Sequence, residues 1–263
     1  DQTSSGNNGL MNGDVSWSSD VPPILPTPGG NNSLSFDGSN DYVSIMDDES
    51  LTSTSAITIS AWFKKVSGTG WMSLVGKGTS DVNEEYVLML KDDQVYFDVG
   101  QGGGPYLQQS TTISIGVWHH IAAVHTRSGS TSTLKVYLNG KDVGGSTVGA
   151  SNSPNDNSHP LTIGSRFSTS NAPFQGQIDE VRIWSEARSQ AEIKANMHTE
   201  LSSGESNLVA YYNFNEGTGT TVSDMSSNSN NGTMTNMAND DWISNSLFAQ
   251  DYSLDLDGSN DYV

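Results

Sequence analysis

The sequence predicts an all-β protein, a sandwich of two antiparallel sheets with one short helix. Three observations carry the prediction. Short runs of β-branched and aromatic residues recur along the chain, Gly, Asn and Ser punctuate the gaps, and a single segment carries a helix-start signature. Ile57–Phe63 alternates with the period of two that a half-buried strand requires. Tyr86–Leu90 and Val95–Val99 flank a polar Lys91-Asp92-Asp93-Gln94 turn and read as a hairpin. Trp118–His125 and Thr133–Leu138 flank a Gly/Ser/Thr turn. Asn139-Gly140 follows, a dipeptide suited to a type I′ turn because both central residues need positive φ. Leu161–Gly164, Gln177–Trp184 and Leu208–Phe214 complete the strand series. The helix begins at Ser189-Gln190-Ala191-Glu192, a capping box in which the two side chains satisfy free N–H groups at the helix start. Ile193 and Met197 then share a face.

The bulk chemistry narrows the partners. Eleven Lys and Arg stand against thirty Asp and Glu, a formal net charge of −19, and the isoelectric point is about 4.2. Such a surface repels phosphate backbones and anionic lipid heads, which excludes nucleic acid and membrane surfaces as expected partners. The acidity serves solubility, and some of its carboxylates are candidates for a divalent cation. A chain of 263 residues with no Cys needs no disulfide staples, because a domain of this size buries roughly 75% of its unfolded surface. No apolar run approaches the ~20 residues that span a bilayer. The chain opens Asp1-Gln2-Thr3-Ser4-Ser5 without an apolar core, so an export signal is expected upstream.

A repeat organises the chain. Ser33-Leu34-Ser35-Phe36-Asp37-Gly38-Ser39-Asn40-Asp41-Tyr42-Val43 returns as Ser253-Leu254-Asp255-Leu256-Asp257-Gly258-Ser259-Asn260-Asp261-Tyr262-Val263. Asn7-Asn8-Gly9 matches Asn230-Asn231-Gly232, and Trp17 matches Trp242. The expected organisation is a domain over 1–223 and the start of a tandem copy over 224–263. Neighbouring copies of the module are then expected partners, and Tyr252–Leu256 is a strand able to add to the sheet edge of a neighbouring chain.

The motifs, in order, are Leu34–Val43, Thr58–Phe63, Gly116–Ala122, Val136–Gly140, Gly176–Trp184 and Leu208–Gly217. Their order and spacing resemble the laminin-G-like, concanavalin A-like jelly rolls of bacterial secreted proteins. The resemblance implies two curved sheets, a location outside the cell or on its surface, and a fold that hosts lectins, carbohydrate-binding modules of secreted polysaccharide-degrading enzymes, adhesin repeats and spacers. It also implies a structural Ca²⁺ where the Asp37–Asp41 turn meets Asp179, with backbone oxygens near Gly38 as helpers. The turn itself holds two carboxylates and an amide, and Ca²⁺ takes 6–8 oxygen ligands. Asp37 and Asn40 capping the turn through Asx hydrogen bonds is the competing explanation.

Catalysis finds little support. Asp179 and Glu180 are adjacent, so on a regular strand they point to opposite faces, and Glu84-Glu85 share that defect. His119 and His120 read as core or surface histidines, and Trp62, Trp118 and Trp184 as packing residues. Carbohydrate binding is the sharper expectation, since sugar rings stack on exposed aromatics while polar neighbours fix their hydroxyls. Trp71, Tyr86, Tyr106 and Phe167 are the expected platforms, with Lys77, Asn83 and Arg166 as polar partners. The expected protein is a non-catalytic module of a repetitive surface adhesin, or alternatively a module appended to a secreted polysaccharide-degrading enzyme.

Overall fold

The computed structural model describes residues 32–244 except 53–54, 68, 79–83, 93, 101–105, 150–155 and 168–170. In chain order its strands are β1 (Asn32–Asp37), β2 (Tyr42–Ile45), β3 (Ala56–Lys65), β4 (Trp71–Gly78), β5 (Glu84–Lys91), β6 (Gln94–Val99), β7 (Tyr106–Ser110) and β8 (Trp118–Ser128). They continue as β9 (Thr131–Leu138), β10 (Lys141–Gly149), β11 (Leu161–Ile163), β12 (Gln175–Trp184), β13 (Leu208–Tyr212), β14 (Thr221–Val222), β15 (Gly232–Thr235) and β16 (Trp242–Ser244). The α-helix, α1, is Gln190–Asn196. No helix among the described residues is long and apolar enough to cross a membrane.

Two antiparallel sheets form, as the alternation predicts. The first runs β10-β9-β8-β3-β12-β1-β16, with β13 also paired to β12. The second runs β14-β15-β2-β11-β4-β5-β6-β7. β12 is long enough to serve two partners on one side, β1 along Gln175–Ile178 and β13 along Val181–Trp184. The core lies between the sheets. β3 contributes Ile57, Ile59, Ala61 and Phe63, β1 contributes Leu34 and Phe36, and the second sheet answers with Leu88, Leu90, Val95 and Phe97.

The outer face of β3 is buried as well. Ile193 of α1 packs on Ala122, Val124 and Tyr137. The Ser189 side chain accepts from the Glu192 N–H, and Glu192 answers at the Ser189 N–H, so the predicted capping box is formed. The other end of the helix is held from below. The Trp62 indole donates to the Met197 carbonyl at 2.6 Å, and Arg182 donates to the Asn196 carbonyl at 2.7 Å and the Thr199 carbonyl at 2.6 Å. A cation at a helix C-terminus meets the partial negative charge of its unsatisfied carbonyls. Trp62 and Trp184 are therefore packing residues as expected, while Trp118 is half-buried with Lys64 Nζ 5.3 Å from its ring centre.

Turn chemistry also follows the sequence. Asn139 and Gly140 take φ 49° and 71° between β9 and β10, the two positive values a type I′ turn needs. Between β1 and β2, Gly38 takes φ 81°, and a Cβ there would lie 2.8 Å from the Gln175 Cβ.

The expected boundary at residue 223 differs from what the strands do. Residues 224–244 belong to this same sandwich: β15 pairs with β2 and β16 with β1. Met234 and Trp242 enter the interior, which explains why the chain continues in register past 223. Residues 245–263, which include the expected strand at Tyr252–Leu256 and the repeated Asp257–Asp261 sequence, lie outside the described residues.

Candidate functional site

One exposed surface combines aromatic faces with polar groups. It lies on the outer side of the second sheet, along β4, β6 and β7. In β6, Val95, Phe97 and Val99 face the core, so Gln94, Tyr96 and Asp98 face outward. In β7, Leu107 faces inward, which turns Tyr106 and Gln108 outward. Trp71 starts β4 and pairs with Lys91 of β5, which in turn pairs with Gln94.

Cross-strand register then assembles an aromatic row. Asp98 sits opposite Tyr106 and Tyr96 opposite Gln108, so the two tyrosines are diagonal neighbours within reach of each other. Their rings stack with centroids 5.6 Å apart and 21° between planes. Trp71 meets Tyr96 edge-on at 5.1 Å and 88°. Lys91 Nζ lies 5.0 Å from the Trp71 ring centre. Trp71 is 40% exposed and Tyr106 55% exposed, so two ends of the row are open to solvent while Tyr96 is held between them.

Polar groups border the row. The Tyr96 hydroxyl donates to Asp98 Oδ2 at 3.3 Å. Gln108 donates to Gln94, and Gln94 Nε2 donates to Ser110 Oγ at 3.2 Å. Burial pushes the Tyr96 hydroxyl above its ordinary range, and the carboxylates of Asp98 and Glu84 add to that push while Arg166 opposes it. Tyr96 therefore stays a neutral donor, able to act as a rigid polar-tipped ring. Arg166 Nη2 donates to Glu84 Oε2 at 2.6 Å, so this guanidinium is fixed in place.

The structure sorts the other expected ligand residues. Trp71 and Tyr106 share the row. Lys77 does not face solvent: its ammonium is fully buried, 2.8 Å from Asp47 Oδ1, Glu85 Oε2 and the Asn157 carbonyl. Tyr86 is a core residue whose hydroxyl donates to the Leu51 carbonyl at 3.0 Å. Phe167 is 2% exposed beneath Arg166 and offers no platform. Asn83 lies outside the described residues. Tyr96 was not among the expected platforms, although its position out of phase with Val95, Phe97 and Val99 marks it as outward-facing.

The residues expected around a calcium ion do not converge. Asp37 Oδ1 accepts from the Ser39 N–H at 2.7 Å and the Asn40 N–H at 3.4 Å, and Asp41 Oδ2 accepts from the Asp37 N–H at 2.9 Å. This is the Asx-type turn weighed against the metal. Asp37 pairs with Gln175, whereas Asp179 lies four residues further along β12, about 13 Å at ~3.3 Å per residue. Asp179 Oδ1 instead accepts the N–H of Glu180. Among the described residues no group of three or more His, Asp or Glu side chains is disposed to hold a metal. The set Asp37, Gly38, Asp41 and Asp179 therefore does not fit Ca²⁺ as a single site. Burial, with the nearby charges of Asp37 and Asp241, raises the Asp41 carboxyl to about 6.

The paired carboxylates are structural ties. Glu180 takes φ 51° within a bulge, so alternation breaks there and Ile178 and Val181 both reach the core. The opposite-face argument for Asp179 and Glu180 thus fails on geometry. Glu180 nevertheless is committed: both its oxygens accept from the Tyr211 hydroxyl at 2.9 Å, and Arg182 pairs with it. His119 Nε2 accepts from the Ser114 N–H at 3.1 Å, and His120 is buried edge-on to Trp62.

Comparison with known proteins gives a consistent fold. The profile of the concanavalin A-like lectin/glucanases superfamily matches residues 37–194, more than half the chain. Among solved structures, a putative carbohydrate binding protein from Bacteroides ovatus is similar at 22% identity and a TM-score of 0.63; the match covers 80% of this chain and 59% of that one. The CBM40 of Ruminococcus gnavus IT-sialidase, solved with α2,3-sialyllactose, is similar at 15% identity and a TM-score of 0.47, covering 63% of this chain and 96% of that one. None of the curated proteins compared matches the chain.

Proposed function

We propose that this chain, which belongs to the concanavalin A-like lectin/glucanase superfamily, is a non-catalytic extracellular module that binds glycan on the Trp71–Tyr96–Tyr106 row. The observation that carries the reading is the row itself. Two solvent-open aromatic faces flank a third that is locked by a carboxylate, and Lys91, Gln94 and Gln108 border them. Apolar sugar faces stack on such rings, and the amides and the ammonium suit ring hydroxyls or a sugar carboxylate. An open row on a sheet face suits a stretch of polysaccharide chain. The recurrence of the Leu34–Val43 motif at Leu254–Val263 favours a repeated surface adhesin over an enzyme-appended module, since weak sites gain avidity by multiplicity.

The test is a glycan array followed by calorimetric titration of the best binder. Trp71→Ala and Tyr106→Ala are each expected to weaken binding by about tenfold, the scale of one lost aromatic stacking contact, with only a small fall in melting temperature, since each ring is partly exposed and makes one aromatic contact with Tyr96. Glycan binding that survives both substitutions would place the site elsewhere.

A further inference from the structure

The second sheet buries an amine between two carboxylates. Lys77 of β4 lies opposite Leu161 of β11, and Leu161 lies opposite Ile45 of β2, so Lys77 and Ile45 flank one core residue. Met46 is 84% exposed. Asp47, two residues beyond Ile45, returns to the side of Lys77, and its Oδ1 is 2.8 Å from Nζ. On the other side of β4, Lys77 pairs with Tyr86 and Gly78 with Glu84, which makes Glu85 the extra residue of a bulge. Glu85 is thereby turned toward Lys77, with Oε2 2.8 Å from Nζ. The Asn157 carbonyl accepts the third N–H, also at 2.8 Å. The side chains of Lys77 and Glu85 are fully buried, and that of Asp47 is 30% exposed.

A structural tie needs less than this. Desolvation disfavours separated charge, and a proton passed along the Nζ–H···Oδ1 hydrogen bond leaves Lys77 and Asp47 both neutral. The same transfer makes a nucleophile beside an electrophile. The freed lone pair points along the former hydrogen bond at the Asp47 carboxyl, while the other two N–H groups stay on Glu85 and Asn157. The other ion pairs differ. Glu84 and Glu180 face guanidiniums, which stay protonated and do not attack. Lys135 and Asp142 are 3.6 Å apart and open to solvent.

We propose that Lys77 and Asp47 join in an intramolecular amide, with Glu85 relaying the proton. The Nζ lone pair attacks Asp47 Cγ and forms the C–N bond. Glu85 takes one amine proton as general base and returns it to the departing hydroxyl. The C–O bond breaks, and one water leaves past the partly exposed Asp47. The last N–H remains on the Asn157 carbonyl. No oxidant or cofactor is consumed, and Glu85 ends as the carboxylate it began as. Groups held in contact reach effective molarities of about 10⁵–10⁸ M, which suits a condensation that bulk water opposes. The bond would clamp β4 to the residues after β2, across the intervening β11. It forms whether or not the aromatic row binds glycan.

The intact mass of the whole chain, measured under denaturing conditions, reads the reaction. It is expected to be one water lighter than the sequence mass, and proteolysis should yield a branched peptide joining Lys77 to Asp47. Lys77→Arg keeps the charge but supplies no amine, and Asp47→Ala removes the acceptor carbon at a partly exposed position. Both variants are expected at their full sequence masses. Glu85→Gln, its fold checked by circular dichroism, should leave most chains unlinked. An unsubstituted chain at its full sequence mass overturns the proposal. So does a water loss that persists in Asp47→Ala or that maps to ring closure at Asp37-Gly38. Linkage in Glu85→Gln as complete as in the unsubstituted chain overturns the role given to Glu85.

Discussion

Lys77 shows how position decides a residue's chemistry. By sequence it is a plausible sugar ligand, but the structure places its ammonium inside, among Asp47, Glu85 and the Asn157 carbonyl. Removing one partner of a buried pair leaves an uncompensated charge, at a cost of about 3–5 kcal/mol. Lys77→Met is expected to destabilise by that amount in chemical denaturation. Lys77→Met with Glu85→Gln should recover a large part of it, since the fully buried carboxylate goes with its partner. Tyr86 and Tyr96 make the same point about legibility. Tyr86 is in phase with Leu88 and Leu90 and belongs to the core; Tyr96 is out of phase with Val95 and Phe97 and faces outward. Strand parity, read strictly, distinguishes them from the sequence alone. The cluster around Lys77 is different, because its members come from residues 47, 77, 85 and 157, and no local pattern links them.

At the scale of elements, local signals were the legible ones. The capping box at Ser189, the type I′ turn at Asn139-Gly140 and the bend at Gly38 each depend on a few adjacent residues, and each forms as the sequence indicates. Ser189→Ala is expected to cost about 1 kcal/mol, the usual worth of an N-cap, read as a small fall in melting temperature. Arg182→Met should cost more, about 3 kcal/mol or above, because it strips the cation from the α1 carbonyls and leaves buried Glu180 unpaired. Equal effects of the two substitutions would mean that the guanidinium does not hold the helix. What was not legible is how elements meet. The Asp37–Asp41 turn was recognisable as a turn, but its distance from Asp179 depends on the β1–β12 register, which alternation leaves open. The Glu180 bulge was equally hidden, since one inserted residue changes which side chains share a face.

At the scale of the whole molecule, the fold class and the strand series were legible because one face of nearly every strand must be apolar. The closing strands were visible only as a repeat, and their membership of this sandwich required the pairings of β15 and β16. The buried histidines give the molecule an acid response. Burial lowers His120 to about 3 and His125 to about 4, with nearby arginines adding to the effect. The unfolded chain then binds more protons below pH 6.5, so the stability these residues contribute is lost as pH falls. For His120 the loss between pH 6.5 and 5 is about 2 kcal/mol. Asp41, raised to about 6, acts in the opposite sense: it favours the fold increasingly as pH falls through 6 toward its unfolded value. Denaturation of the unsubstituted chain and of His120→Gln at pH 6.5 and 5 separates the two contributions, and the variant should lose less stability on acidification.

The central claim is that glycan binds on the Trp71–Tyr96–Tyr106 row. The chain has six tryptophans, and each gives one indole N–H signal in a ¹⁵N-resolved spectrum. Titration with the best oligosaccharide from the array should move the Trp71 signal progressively while those of Trp62, Trp184 and Trp242, buried in packing, stay fixed. Saturable binding that leaves the Trp71 indole unmoved and shifts another tryptophan would contradict the account.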